Sequence, residues 1–198
     1  MRPKLLLVVV ALAVACSLTA PKAFASNLLT NGSFETGDFS GWTQGGNFEF
    51  SQVVSGPFYV YSGAQDGTFY ATFGPVGSDG TISQTVSDTA GAGYTLSFWL
   101  NAVGDDPSHF AVFWNGTDLM DQMDPNTGGN WTQFSFNVTG TGSDTVTFAF
   151  QDDPAYIALD NVSLSPAGTG TTPEPSSILL LGSGVLALGG VVRRKLTR

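Results

Sequence analysis

Between residues 26 and 172 apolar and polar side chains alternate in short runs with a period of two. Tyr94-Thr95-Leu96-Ser97-Phe98-Trp99-Leu100-Asn101 puts Tyr94, Leu96, Phe98 and Leu100 on one side of an extended chain, and Thr95, Ser97, Trp99 and Asn101 on the other. Trp131 to Val138 divides in the same way, with Thr132, Phe134, Phe136 and Val138 facing a core and Trp131, Gln133, Ser135 and Asn137 opposite. The pattern predicts strands over 27–34, 48–54, 68–73, 81–86, 94–103, 110–114, 132–138, 145–150 and 156–164, separated by Gly, Asn, Asp and Pro. No part of this region has a helical period. Short strands at this spacing imply an all-β, two-sheet antiparallel sandwich rather than an up-and-down barrel or a repeat array.

Both ends depart from this pattern. Residues 1–25 carry Arg2 and Lys4, an apolar core from Leu5 to Ala15 and then Ala23-Phe24-Ala25, the layout of a signal peptide cut by signal peptidase before Ser26. A competing cut before Cys16 would make a lipoprotein, although Ala13 stands where such a box prefers Leu. Cutting before Ser26 removes the chain's single cysteine, leaving no disulfide or thiol chemistry. The sandwich domain is expected over 26–165, with a Gly- and Thr-rich linker over 166–172. Residues 176–192 are free of charge, and as a helix they would span about 25 Å, enough for one crossing at the lower limit of a bilayer core. Arg193, Arg194, Lys195 and Arg198 follow and would stay cytoplasmic, placing the rest of the chain on the other side of the membrane.

Pro173-Glu174-Pro175, the glycine-bearing apolar span and the terminal basic cluster together resemble the PEP-CTERM sorting signal of Gram-negative bacteria. The resemblance implies that an exosortase recognises residues 173–198, cuts near Pro173, Glu174 and Pro175, and releases the protein to the cell surface or exopolysaccharide matrix. The alternative is a permanent single-span anchor.

Charge sharpens the reading. All seven Lys and Arg residues lie in the two terminal segments, so residues 26–172 hold fifteen acids and neither Lys nor Arg, a formal charge of −15 with His109 neutral. Nucleic acid is excluded as a partner, because no cation is available to displace counterions from phosphate. Bound divalent cations would relieve the self-repulsion, although solvated acids would also keep an exported protein soluble.

Asn27-Leu28-Leu29-Thr30-Asn31-Gly32-Ser33-Phe34-Glu35, followed by Trp42, and the closing Leu159-Asp160-Asn161-Val162-Ser163-Leu164 resemble the first and last strands of jelly-roll carbohydrate-binding modules with a galactose-binding-like fold. The resemblance implies a structural calcium held by Glu35 and Asp160 with loop carbonyls, to which the Asp66-Gly67 turn could add one. Two carboxylates and several carbonyls suit calcium's six to eight oxygen ligands. Asp124 to Gly128 is read as a turn, since Ser135 stands where an EF-hand needs Glu.

Sugar rings stack on Trp and Tyr while amides and carboxylates bond their hydroxyls. If the strands holding Trp99 and Trp131 are neighbours, then Trp99, Asn101, Trp131 and Gln133 line a concave polysaccharide-binding surface, with Phe113 beside them. The alternative packs the tryptophans under loops. Gly56 to Tyr61 is expected to form a lip or a plug over one end of the sandwich. The Asn-x-Ser/Thr sequons at Asn31, Asn115, Asn130, Asn137 and Asn161 follow from composition.

Enzymatic readings find little support. With His109 as the single histidine, a two-histidine zinc motif is impossible, and no Gly-x-Ser-x-Gly elbow occurs. His109 is read as a loop residue. Asp105, Asp106, Asp152 and Asp153 could provide a glycosidase pair, but no neighbour in the sequence tunes one of them into an acid. The expectation is a non-catalytic, exported, carbohydrate-binding protein. The alternatives are an acidic matrix scaffold crosslinked through divalent ions and, less favoured, a glycosidase or lyase.

Overall fold

The computed structural model describes residues 26–105, 107–153 and 155–167, so the signal peptide, most of the linker, the 176–192 span and the sorting motif lie outside the described residues. The described chain has ten strands: β1 Thr43–Gly46, β2 Gln52–Ser55, β3 Phe69–Phe73, β4 Gly80–Ser87, β5 Gly93–Asn101, β6 Ser108–Trp114, β7 Thr117–Met123, β8 Thr132–Thr139, β9 Ser143–Asp152 and β10 Ile157–Pro166. They form two five-stranded antiparallel sheets, ordered β1-β4-β9-β6-β7 and β2-β3-β10-β5-β8. The chain passes repeatedly from one sheet to the other, which makes this the expected jelly-roll sandwich. Among the described residues no helix is long and apolar enough to cross a membrane.

The core lies between the inner faces. Leu96, Phe98 and Leu100 of β5 meet Phe110 and Val112 of β6 and Val146, Phe148 and Phe150 of β9, all fully buried. Phe73 and Phe150 stack across the layers with ring centroids 3.7 Å apart.

Three elements differ from the expectation. Residues 27–34 form no strand: Asn31 and Phe34 have φ of 52° and 55°, incompatible with extended backbone. This segment still clips to β10, with Leu28 N–H donating to the Leu164 carbonyl and Val162 N–H to the Gly32 carbonyl, both at 2.9 Å. A Cβ on Gly32 would overlap the Val162 carbonyl, so only glycine permits the approach. β1 and β7 were not expected, because both are edge strands largely open to solvent and neither has an alternating apolar face.

Candidate functional site

The outer face of the second sheet carries the predicted residues, and strand register decides which of them meet. β5 pairs with β8, setting Trp99 opposite Gln133, and with β10, setting Trp99 opposite Asp160. Trp99 is partly exposed, and Gln133, Ser135 and Asn137 are exposed along the β8 edge. Thr95 and Ser97 continue the polar row on β5. The arrangement is one aromatic plate bordered by amides and hydroxyls.

The other half of the expected surface is roofed. Trp131 donates its indole N–H to the Gly63 carbonyl at 3.0 Å and stands edge-on to Tyr70, with centroids 5.8 Å apart. Asn101 is only 3% exposed, and its side-chain oxygen accepts from the Thr127 hydroxyl at 3.5 Å. The segment from Gly56 to Gly67 therefore acts as a plug. Its Tyr61 is buried and donates to the Tyr156 carbonyl, and Tyr70 beneath donates to the Gly56 carbonyl at 3.1 Å. Burial, with Asp152 and Asp105 adding to it, raises the Tyr61 hydroxyl far above the usual phenol range. The tip, Tyr59 and Val60, is more than half exposed and forms a lip.

Phe113 does not join this surface. It lies on β6 in the opposite sheet and points outward between the inward-facing Val112 and Trp114. Alternation carries no information on which sheet a strand joins.

Glu35 and Asp160 converge on one loop. Glu35 Oε1 accepts the N–H groups of Thr68 and Phe69, each at 2.8 Å. Asp160 Oδ2 accepts those of Gln65 at 2.8 Å and Asp66 at 3.0 Å, while Oδ1 accepts Asn161 N–H at 2.6 Å. A one-residue bulge in β10, where Asn161 has φ of 48°, keeps Asp160 on the outer face and returns Val162 and Leu164 to the core. Asp160 is fully buried, and burial pushes its carboxyl up to about 6 against the three N–H bonds. Glu35 Oε1 and both Asp160 oxygens are thus engaged by backbone N–H groups of the 65–69 loop and of Asn161. Among the described residues no three His, Cys, Asp or Glu side chains gather as metal ligands.

His109 belongs to β6 rather than to a loop. Its Nδ1 lies 3.0 Å from both Asp79 oxygens, and its Nε2 lies 3.2 Å from Asp121 Oδ1. Burial works against the charged ring, but the hydrogen bond and charge of Asp79, joined by Asp121, outweigh it and raise the value above 6.5. The stabilisation is therefore complete below about pH 6.5 and is lost as pH rises through the folded value. His109→Gln is expected to cost up to about 1 kcal/mol at pH 5.5 and much less at pH 8.5, the pair being partly open to screening. Urea unfolding at the two pH values checks this, and equal losses would contradict it.

Burial does tune one of the suspected acids. Asp152 is pushed up to about 7 by burial first and Asp105 second. Asp152 Oδ1 and Asp105 Oδ2 are both buried and have no hydrogen-bond partner among the described residues.

None of the curated proteins matches the chain. Among solved structures, the fold is similar to the K1 cleaved adhesin domain of Lys-gingipain from Porphyromonas gingivalis W83, at 19% identity and a TM-score of 0.54 over 69% of this chain and 96% of that one. It is also similar to the enzymatically active domain of bacteriophage CBA120 tailspike protein 4, at 19% identity and a TM-score of 0.52 over 71% of this chain but only 21% of that one. TmCBM61, solved with β-1,4-galactotriose, aligns at 22% identity and a TM-score of 0.49 over 72% of this chain and all of that one. Residues 171–195 match the PEP-CTERM protein-sorting motif, so the chain is a jelly-roll sandwich carrying the mark of an exported, exosortase-processed protein.

Proposed function

We propose that the protein is a non-catalytic, polysaccharide-binding component of the cell surface or exopolysaccharide matrix of a Gram-negative bacterium. In this reading 176–192 anchors it transiently in the inner membrane until exosortase acts. The carrying observation is Trp99, partly exposed on an outer sheet face beside Gln133, Ser135 and Asn137. A pyranose ring stacks its C–H face on such an indole while amides and hydroxyls bond its edge.

Affinity electrophoresis of the protein through the producing cell's own polysaccharide tests this. Trp99→Ala is expected to weaken retention at least tenfold with little change in stability. No retention of the wild type would end the reading. The same gels with calcium and with chelator separate the acidic-scaffold alternative, favoured by the absence of Lys and Arg from 26–172. Such a scaffold would ignore Trp99→Ala and lose retention with chelator.

Calcium bridging Glu35, Asp160 and carbonyls of the 65–69 loop forms part of the same proposal. With an affinity of about 0.1 mM and about 1 mM free ion, it would stabilise the fold by roughly 1.4 kcal/mol.

A further inference from the structure

Where β9 turns into β10, acids gather without a base. Asp152 ends β9 and is 3% exposed, Asp153 follows it, Asp105 lies in the β5–β6 loop, and Asp124 follows β7. Asp152 Oδ1 and Asp105 Oδ2 are buried and have no hydrogen-bond partner among the described residues. Charge from Asp105, Asp153 and Asp124 adds to burial in holding the Asp152 proton, while Ala155 N–H opposes them. Tyr61 and Tyr59 of the plug feel both Asp152 and Asp105, so they stand close by. Residues 26–172 hold no Lys or Arg, and His109 is already engaged by Asp79 and Asp121. Two sealed carboxylate oxygens among like charges are relieved by a proton or by a counter-charge from outside the chain. A cleft of about 220 Å³, walled by Phe50, Val76 and Tyr156, has Asp152 and Asp153 in its lining and gives that charge a path in.

We propose that Asp105 and Asp152 hold a divalent hard cation of the calcium class, admitted through this cleft. Both oxygens are sealed from solvent, which favours a bare ion, bound at the usual calcium–oxygen distance of about 2.3–2.6 Å, over a bulky organic ammonium. Two carboxylates leave most of the shell to backbone carbonyls and water, which tolerant calcium accepts more readily than octahedral magnesium. The ion joins the β5–β6 loop to the β9–β10 turn. Tyr156 of that turn receives the Tyr61 hydroxyl, so the ion also steadies the plug beside the Trp99 face. This site is separate from Glu35 and Asp160 and does not depend on glycan binding.

Terbium luminescence and calcium titration of the full exported chain test it, with the nearby tyrosines sensitising terbium. The wild type and Asp160→Asn are expected to show calcium-displaceable emission. Introduced into the Asp160→Asn background, which removes the Glu35 and Asp160 site, Asp152→Asn and Asp105→Asn should each weaken it at least tenfold, the second variant guarding against misfolding of the first. Emission that survives unchanged in both variants overturns the proposal, as does a wild type without calcium-displaceable binding. Emission lost only in Asp160→Asn assigns the ion to the Glu35 and Asp160 loop and also overturns it.

Discussion

Phe148→Ala is expected to lower folding stability by about 3–5 kcal/mol, the range for truncating a large aromatic in a sealed core. Phe148 is fully buried in the middle of β9, a strand paired on both sides by β4 and β6. Its ring contacts Trp42 at 6.0 Å, Phe98 at 5.3 Å and Phe110 at 6.1 Å between centroids, and Phe98 belongs to the other sheet. Truncation thus opens a cavity between layers whose backbones are tied by ladders and cannot close over it. Phe113 sits on the outer face of the same sheet, one strand away, opposite Thr147. Phe113→Ala is expected to cost less than about 1 kcal/mol, since it leaves no cavity. Urea unfolding of both variants checks the pair, and equal losses would mean that the faces of β6 and β9 are wrongly assigned.

Alternation made some strands legible and hid others for a physical reason. β4, β5, β8 and β9 each bury one face and wet the other, so their period of two stands out in the residues. β1 reads Thr-Gln-Gly-Gly and has no apolar face to betray it. The same limit governs the site. Parity put Trp99 and Asn101 on one face of β5, but Asn101 is only 3% exposed, and parity cannot assign Phe113 to a sheet. Nor could it show that the Gly56–Gly67 segment lies over Trp131 and Tyr70, because that contact joins residues 68 positions apart. Glu35 and Asp160 came from a resemblance, and the structure brings both to residues 65–69. The sealing of Asp105 and Asp152 had no sequence signal, since it depends on how two distant loops meet.

Trp131→Ala is expected to cost about 3 kcal/mol, and its effect on polysaccharide retention should follow from the plug rather than from lost stacking. The ring is half-buried, so its packing contributes less than that of a core aromatic, but its N–H also satisfies the Gly63 carbonyl. Tyr70 and Ala158, buried beneath the plug, would be opened to water, and Tyr61 would lose its neighbours. Trp131→Phe keeps most of the packing and removes only the hydrogen bond, for about 1 kcal/mol. Trp99→Ala should do the reverse, leaving urea stability nearly unchanged while weakening retention at least tenfold. Measured together, the variants separate an anchor from a contact: Trp131→Phe should migrate like the wild type through the polysaccharide gel. If it loses retention at unchanged stability, Trp131 touches the glycan and the plug must move aside on binding.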